Sequence, residues 1–334
     1  MKMKQRTWVR MLVVLSATLL VLVASAYFFA KDRYLRQGPL QRAKIVFIEK
    51  GVGLTKIAAR LFDSGVIDNA FLFRTGVRCS GLSGKLRAGE YEFAAKTSMD
   101  SVASLIISGN TVKRRLIVPE GLLAIQIKQI VMSAPGLVGK LSEKYLQDGK
   151  LLPETYFYSY GDTRLSVVKR MQQKLIKKLK QVWKKRVEKG ELKTPEDALI
   201  LASIIEKETG KSSERAHVSG VFHNRLRRGM PLQSDPTVAY GVTLGKSLLK
   251  RSLSRTDLRT ASPFNTYLNK GLPPRPISNP GLAAIRAAIN PMETADLYFV
   301  ADGWGGHVFA STLNEHHRNV MRWRRSQRKA SKKN

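Results

Sequence analysis

The residues with the clearest capacity for chemistry stand at the end of an apolar run. In "LASIIEKETG", from Leu201 to Gly210, two carboxylates, Glu206 and Glu208, flank Lys207 directly after a stretch of aliphatic side chains. Desolvation disfavours the charged form of a carboxyl group, so an acid placed there keeps its proton to higher pH than in water. A protonated carboxyl near neutral pH is what general-acid cleavage of a glycosidic bond requires. An ordinary helix end with two solvated acids has the same pattern. Residues two apart on a helix lie about 200° apart around its axis, so Glu206 and Glu208 cannot form one dyad. At most one faces the floor of a cleft, and the other faces solvent or an arginine. By helical spacing Glu206 is in line with Leu199, Ala202 and Ser203.

Polar side chains then gather in rigid loops. "MPLQSDPTVAYG" carries Gln233, Asp235 and Tyr240, and "NTYLNKGLPPRPISNPG" carries Asn265 and Tyr267. Amides, hydroxyls and aromatic rings held by Pro and Gly are the groups a carbohydrate groove uses. Gln233, Asp235, Tyr240, Asn265 and Tyr267 are therefore candidate substrate-binding residues. Asp235 is also the nearby acid that could act as a second carboxylate in a hydrolase. "LYFVADGWGGHVF" reads as a hairpin. For His307 and His316 a structural and a substrate-facing role stay equally open. The single cysteine, Cys79, cannot close an internal disulfide. Nucleotide, zinc-protease and nucleophile-elbow motifs do not occur, and neither a metal nor a cofactor is expected.

The elements that must hold these groups are legible. Thr194-Pro195-Glu196-Asp197 combines an N-cap, a first-turn proline and two acids at the positive end of the dipole. The helix it opens is apolar on nearly every side, which predicts burial, and Gly210 is expected as its left-handed C-terminal residue. Before it, Arg164 to Lys189 reads as a long amphipathic helix with one strongly basic face. Further upstream, "KIVFI", "GEYEF" and "TVKRRLIV" read as strands. "GLTKIAARLFDSG" and "SMDSVASLIISG" read as helices, the second capped by Ser98 and closed by Gly109. "EKGVGLTKI" and "PEGLLAIQI" share a glycine and an isoleucine at matching places, which a short unit of strand and helix used twice, or chance, would produce.

Met11 to Ala30 is twenty residues without a charge, preceded by Lys2, Lys4, Arg6 and Arg10. That length crosses the hydrocarbon core of a bilayer, and the basic flank places the N-terminus in the cytoplasm. Ala24-Ser25-Ala26 resembles a signal-peptidase site, but the apolar stretch continues past it, which favours an anchor. Either reading puts the body of the chain outside the cytoplasm. The net charge of +33 suggests an anionic partner. Much of it lies in the N-terminal tail, between Lys169 and Lys189, and after Arg322, and the membrane segment argues against nucleic acid.

"LASIIEKET", "FHNRL", "MPLQSDPTVAYG", "NTYLNKGLPP", "ISNPGLAAIRAAINP" and "LYFVADGWGGHVF", with His316, resemble the endolytic murein transglycosylases, the MltG/YceG-like family. The resemblance covers roughly Ala43 to Val320. It implies an α+β chain: a basic tail (1–10), a transmembrane helix (11–30), a linker (31–42), a LysM-like α/β domain (43–118), a mixed α/β catalytic domain (119–322) and a basic tail (323–334). It implies cleavage of the MurNAc-β-1,4-GlcNAc bond of nascent peptidoglycan strands to 1,6-anhydro ends, by a single-pass protein of the bacterial inner membrane. The implied partners are glycan strands, membrane lipids and penicillin-binding peptidoglycan synthases. The family's catalytic glutamate is the first acid of the E-K-E triplet, Glu206 here. A muramidase using Asp235, or a non-catalytic glycan-binding anchor, are the alternative readings.

Overall fold

The computed structural model describes residues 2–186 and 190–330, which form two compact units. The first comprises residues up to Arg114 together with Ser159–Gly161, and the second comprises the rest.

The first unit begins with helix α1 (Lys2–Leu35), whose Arg10–Leu35 part is long and apolar enough to cross a membrane. Strand β1 (Lys44–Ile48), helices α2 (Leu54–Asp63) and α3 (Ala70–Cys79), strand β2 (Gly89–Phe93) and helix α4 (Met99–Ser108) follow. β1 and β2 pair antiparallel, with Val46 opposite Tyr91. Leu61, Phe73, Tyr91, Phe93, Val102 and Ile106 are fully buried between sheet and helices. α4 has the expected caps: Ser98 accepts from the Ser101 amide, and Gly109 is left-handed. Half-buried Arg114 grips buried Glu90 through two hydrogen bonds of 3.0 and 2.9 Å.

The segment expected as a linker is partly helix. α1 runs on to Leu35, Arg33 pairs with Asp68 at 3.2 Å, and the Tyr34 ring lies against Gly76 of α3. A β-carbon on Gly76 would stand 2.4 Å from that ring, so only glycine admits the contact.

The second unit opens with β3 (Arg114–Ile117) and α5 (Ala124–Ser133), and β3 pairs with β4 (Thr155–Tyr158). The strand "TVKRRLIV", expected in the first domain, thus pairs here. The two similar nonapeptides occupy equivalent places. Gly51 lies between β1 and α2 and Gly121 between β3 and α5, both left-handed, each three residues before its helix.

Next come α6 (Arg164–Trp183), α7 (Pro195–Glu208), α8 (Arg215–Arg227), α9 (Asp235–Thr243), α10 (Leu282–Ile289), the hairpin β5 (Tyr298–Ala301) and β6 (His307–Ala310), and α11 (Leu313–Ala330). The end of the basic segment, residues 187–189, lies outside the described residues. α7 is the centre of this unit. Ala198 to Ile205 are all buried, and α6, α8, α9 and α10 pack around the helix. It starts as its sequence predicts, with a reciprocal Thr194–Asp197 capping box and Pro195 in the first turn. Its end differs: Thr209 is extended at φ −137°, and its hydroxyl accepts from the Lys211 amide, so Gly210 is not needed as a left-handed cap.

Candidate active site

The last turn of α7 presents its two carboxylates to different neighbours. Glu206 Oε2 accepts from the Gly281 amide at the start of α10 (2.8 Å), and Oε1 pairs with Arg215 of α8 (3.1 Å). Its side chain is only 5% exposed. Its pKa is raised: burial, aided by the Glu120 charge, pushes it up, and the Gly281 amide and Arg215 offset this only in part. The positive end of the α10 dipole and a guanidinium both favour its carboxylate form. Glu206 is therefore the acid that meets an arginine.

Glu208 turns the other way, into the loop before α9. The Ser234 hydroxyl donates to its Oε1. Burial, aided by the neighbouring Asp235 charge, pushes its pKa up to about 7, against the Ser234 hydrogen bond and the Arg225 charge. The two acids do diverge around the helix as their spacing dictates, but solvent or arginine is not what Glu208 faces.

The loop beside Glu208 is held from both sides. Buried Arg225, from "FHNRL", donates to the carbonyls of Leu232 (2.9 Å) and Leu297 (2.6 Å) and to Gln233 Oε1 (3.2 Å). Gln233 is left-handed at φ 51°, an unfavourable setting for a side-chain-bearing residue. Its amide donates to Thr266 O, and the Ser234 amide donates to Thr266 Oγ1. Tyr267 donates its hydroxyl to Asp235 Oδ1 at 2.7 Å. Burial and the Asp235 carboxylate push the Tyr267 pKa up, so the phenol stays a donor. Glu208, Ser234, Asp235, Gln233 and Tyr267 thus share one neighbourhood.

Tyr240 and Asn265 also make hydrogen bonds within the protein. Tyr240 is buried on α9 and donates to Asp148 Oδ2 at 2.8 Å. Asn265 is buried, donates to the Leu258 and Thr260 carbonyls, and accepts from the Tyr267 amide. Its side chain shapes the loop that carries Tyr267. The two histidines are also engaged within the protein. His307 Nδ1 lies 2.8 Å from Glu214 Oε2, and the His316 ring stacks on Tyr298 at 5.1 Å. Asp302 shapes the hairpin turn by accepting from the Trp304 and Gly306 amides.

Ser234 and Arg225 are the residues that motif reading did not single out. Arg225 had one signal, its place within the motif FHNRL. Ser234 had none beyond its place between Gln233 and Asp235.

A cavity of about 330 Å³ opens beside this loop, lined by Asp235, Pro236, Lys207 and Tyr240 over an apolar floor that includes Leu123 and Ile277. The exposed Asp235 carboxylate at its edge, beside an apolar floor, can orient a sugar.

Residues 46–322 match the model of the YceG-like family. The chain is 31% identical to an endolytic murein transglycosylase of Bacillus subtilis, over 81% of this chain and 82% of that one. It is 28% identical to one from Streptococcus pneumoniae over 82% of its length, spanning 57% of that longer protein. A crystal structure of a yceG-like protein from Listeria monocytogenes aligns with a TM-score of 0.50 at 29% identity, covering 83% of this chain and 99% of that one.

Proposed function

This chain belongs to the YceG-like family, and on that premise we propose that it is an endolytic peptidoglycan lytic transglycosylase whose proton donor is Glu208. The observation that carries this reading is the environment of Glu208: half-buried, held by the Ser234 hydroxyl, with its pKa pushed up to about 7. Glu206, the expected donor, is held by Arg215 and the Gly281 amide, which pull against the burial and the Glu120 charge that raise its pKa. In this reading Glu206 positions α7 against α10 and takes no part in proton transfer.

The step needs one carboxyl group. Protonated Glu208 gives its proton to the bridging oxygen of the MurNAc-β-1,4-GlcNAc bond as the C1–O bond breaks. The resulting carboxylate takes the proton of the C6 hydroxyl on the same MurNAc while O6 bonds to C1. The proton count returns to its start, no water enters, and one product ends in 1,6-anhydro-MurNAc. Tyr267 and Asp235 orient the sugar, and Arg225 holds the loop through its carbonyl contacts.

A second reading has one observation in its favour. Asp235 lies close enough to Glu208 to raise its pKa, so it could activate a water and make the enzyme a muramidase. Mass spectrometry of products from uncrosslinked strands separates the two. The anhydro end is lighter by one water than the reducing end a hydrolase leaves. No cleavage at all would leave a glycan-binding anchor.

The same proposal places α1 across the bacterial inner membrane with the chain beyond it outside the cytoplasm, on the strength of its apolar length and basic flank. The strand–helix–helix–strand order of the first unit supports a LysM-like glycan-binding role. Lys169, Lys177 and Lys180 on α6, and Lys184 just after it, are exposed and suit anionic headgroups, at about 1 kcal/mol each beside such a surface. Penicillin-binding synthases, which make the strands, are the proposed protein partners.

A further inference from the structure

Tyr240 is a wall shared by two cavities. On one side is the space bordered by Asp235 and Lys207. On the other is a larger cavity of about 500 Å³, reached past Leu244 at the C-terminal end of α9. Leu244 stands nine positions after Asp235, about 13.5 Å along the helix at 1.5 Å per residue. That is further than one sugar ring spans. The second cavity therefore borders something attached to the strand beyond the ring being cut.

Its lining is ionic. Lys128 pairs with Glu143 and Lys150 with Glu196, each at 2.8 Å. Asp148 is satisfied by the Ala124 amide (2.6 Å) and by Tyr240. Two further cations line it, Arg275 and Lys246, both exposed; neither makes a close ion pair among the described residues, although the Arg275 charge also acts on Asp148. The Arg275 guanidinium is held over the Phe264 and Tyr240 rings, 5.4 and 5.9 Å from their centroids. Leu244 at the rim is left-handed at φ 52°, a strained setting for leucine.

In a stem-bearing strand the sugar backbone carries no charge, because each lactyl group is amide-linked; the carboxylates belong to the peptide stems, and removal of a stem leaves only a lactyl carboxylate close to the ring. A stacked guanidinium and a nearby ammonium form a receptor for a carboxylate, which an uncharged saccharide does not require. The half-exposed Lys–Glu pairs can exchange partners with a stem that carries both charge signs. We infer that this cavity is a subsite for the acidic peptide stem of the strand, with Arg275 and Lys246 reading its free carboxylates. The inference rests on the peptidoglycan reading above, and it adds a specificity determinant remote from the cleaved bond.

The test uses the full chain in neutral detergent. Two substrates are compared: uncrosslinked strands with their stems, and the same strands stripped of stems by an amidase. The ratio of kcat/KM for stem-bearing over stem-free strands should exceed one in the wild type. It should fall about tenfold, mainly through KM, in the Arg275→Gln/Lys246→Gln double variant. Arg275→Lys, which keeps the charge and loses the planar fork, should fall between them. Thermal melts establish that each variant is folded. Calorimetric titration with free stem pentapeptide should show binding to the wild type and its loss in the double variant. An unchanged ratio together with no peptide binding overturns the subsite while leaving the transglycosylase reading intact. Peptide binding that depends on Arg275, with neither strand cut, supports the subsite and defeats the transglycosylase reading.

Discussion

Ser234 donates its hydroxyl hydrogen bond to Glu208 across 26 residues of chain, tying the last turn of α7 to the loop that opens α9. The hydroxyl stabilises the carboxylate form, while burial and Asp235 stabilise the acid. The protonation state of Glu208 is set by this opposition.

Glu208→Gln should abolish cleavage, with a loss of roughly 10²–10⁴-fold or more, because an amide cannot pass a proton. The fold should survive. The wild-type acid has its folded pKa raised from 4.5 to about 7. The folded state thus binds the extra proton between those values, and the wild type loses stability as pH rises through that window. The Gln variant lacks this loss, so its Tm should exceed that of the wild type at pH 8 and approach it at pH 5. Cleavage at wild-type rate by this variant would remove Glu208 from the chemistry.

Glu206→Gln should be a stability variant. It weakens a buried ion pair and leaves Arg215, 13% exposed, with one charged partner fewer, at a cost of roughly 2–3 kcal/mol. Below the new melting temperature kcat should stay within about tenfold of wild type. A folded Glu206→Gln enzyme with no activity, beside an active Glu208→Gln, would reverse the two roles.

The pH profile should move in opposite directions in two neighbouring variants. Activity requires protonated Glu208, so the rate falls as pH rises through about 7. Asp235→Asn removes a charge that raises the pKa, and the falling limb should shift to lower pH. Ser234→Ala removes a hydrogen bond that lowers it, and the limb should shift higher. Rate measurements from pH 5 to 9 on all three enzymes check this; shifts in the same direction would contradict the assignment.

Gly76→Ala should destabilise the first unit by about 1–3 kcal/mol, since the new methyl meets the Tyr34 ring. Adding Tyr34→Ala, which opens the space, should recover part of that loss. Melting curves of the two variants and their combination measure the coupling. Simple additivity would show that the contact is not made.

Protease added to spheroplasts should digest the chain beyond residue 35. Full protection, or a mature N-terminus at Tyr27, would show that α1 is not an anchor in the proposed orientation.

Local signals were read well from the sequence. The capping box of Thr194 and Asp197, the Ser98 cap and the left-handed Gly109 depend only on residues within one turn. Helix α3 is not legible in the sequence: its Asn69 cap precedes "AFLFRTGVRC", where a mid-helix glycine hides the pattern until Tyr34 is known to fill the space. The angle between Glu206 and Glu208 also followed from spacing. Which of them meets an arginine did not, because Arg215 and Gly281 reach α7 from other helices. Asn265 and Tyr240 show the same limit. A polar side chain in a rigid region can serve the loop or a ligand, and only its hydrogen-bond partners distinguish the two.

Helix α1 enters the first unit without a break, and Arg33 and Tyr34 are locked against Asp68 and Gly76. Such a joint transmits torque. A flexible tether would fix only the distance from its attachment point, whereas this shaft also fixes the bearing of what it carries. One alanine inserted ahead of Lys31 would turn the unit about 100° around the shaft and lift it about 1.5 Å. The azimuth at which the apolar span settles in its surroundings therefore aims the unit like the hand of a dial.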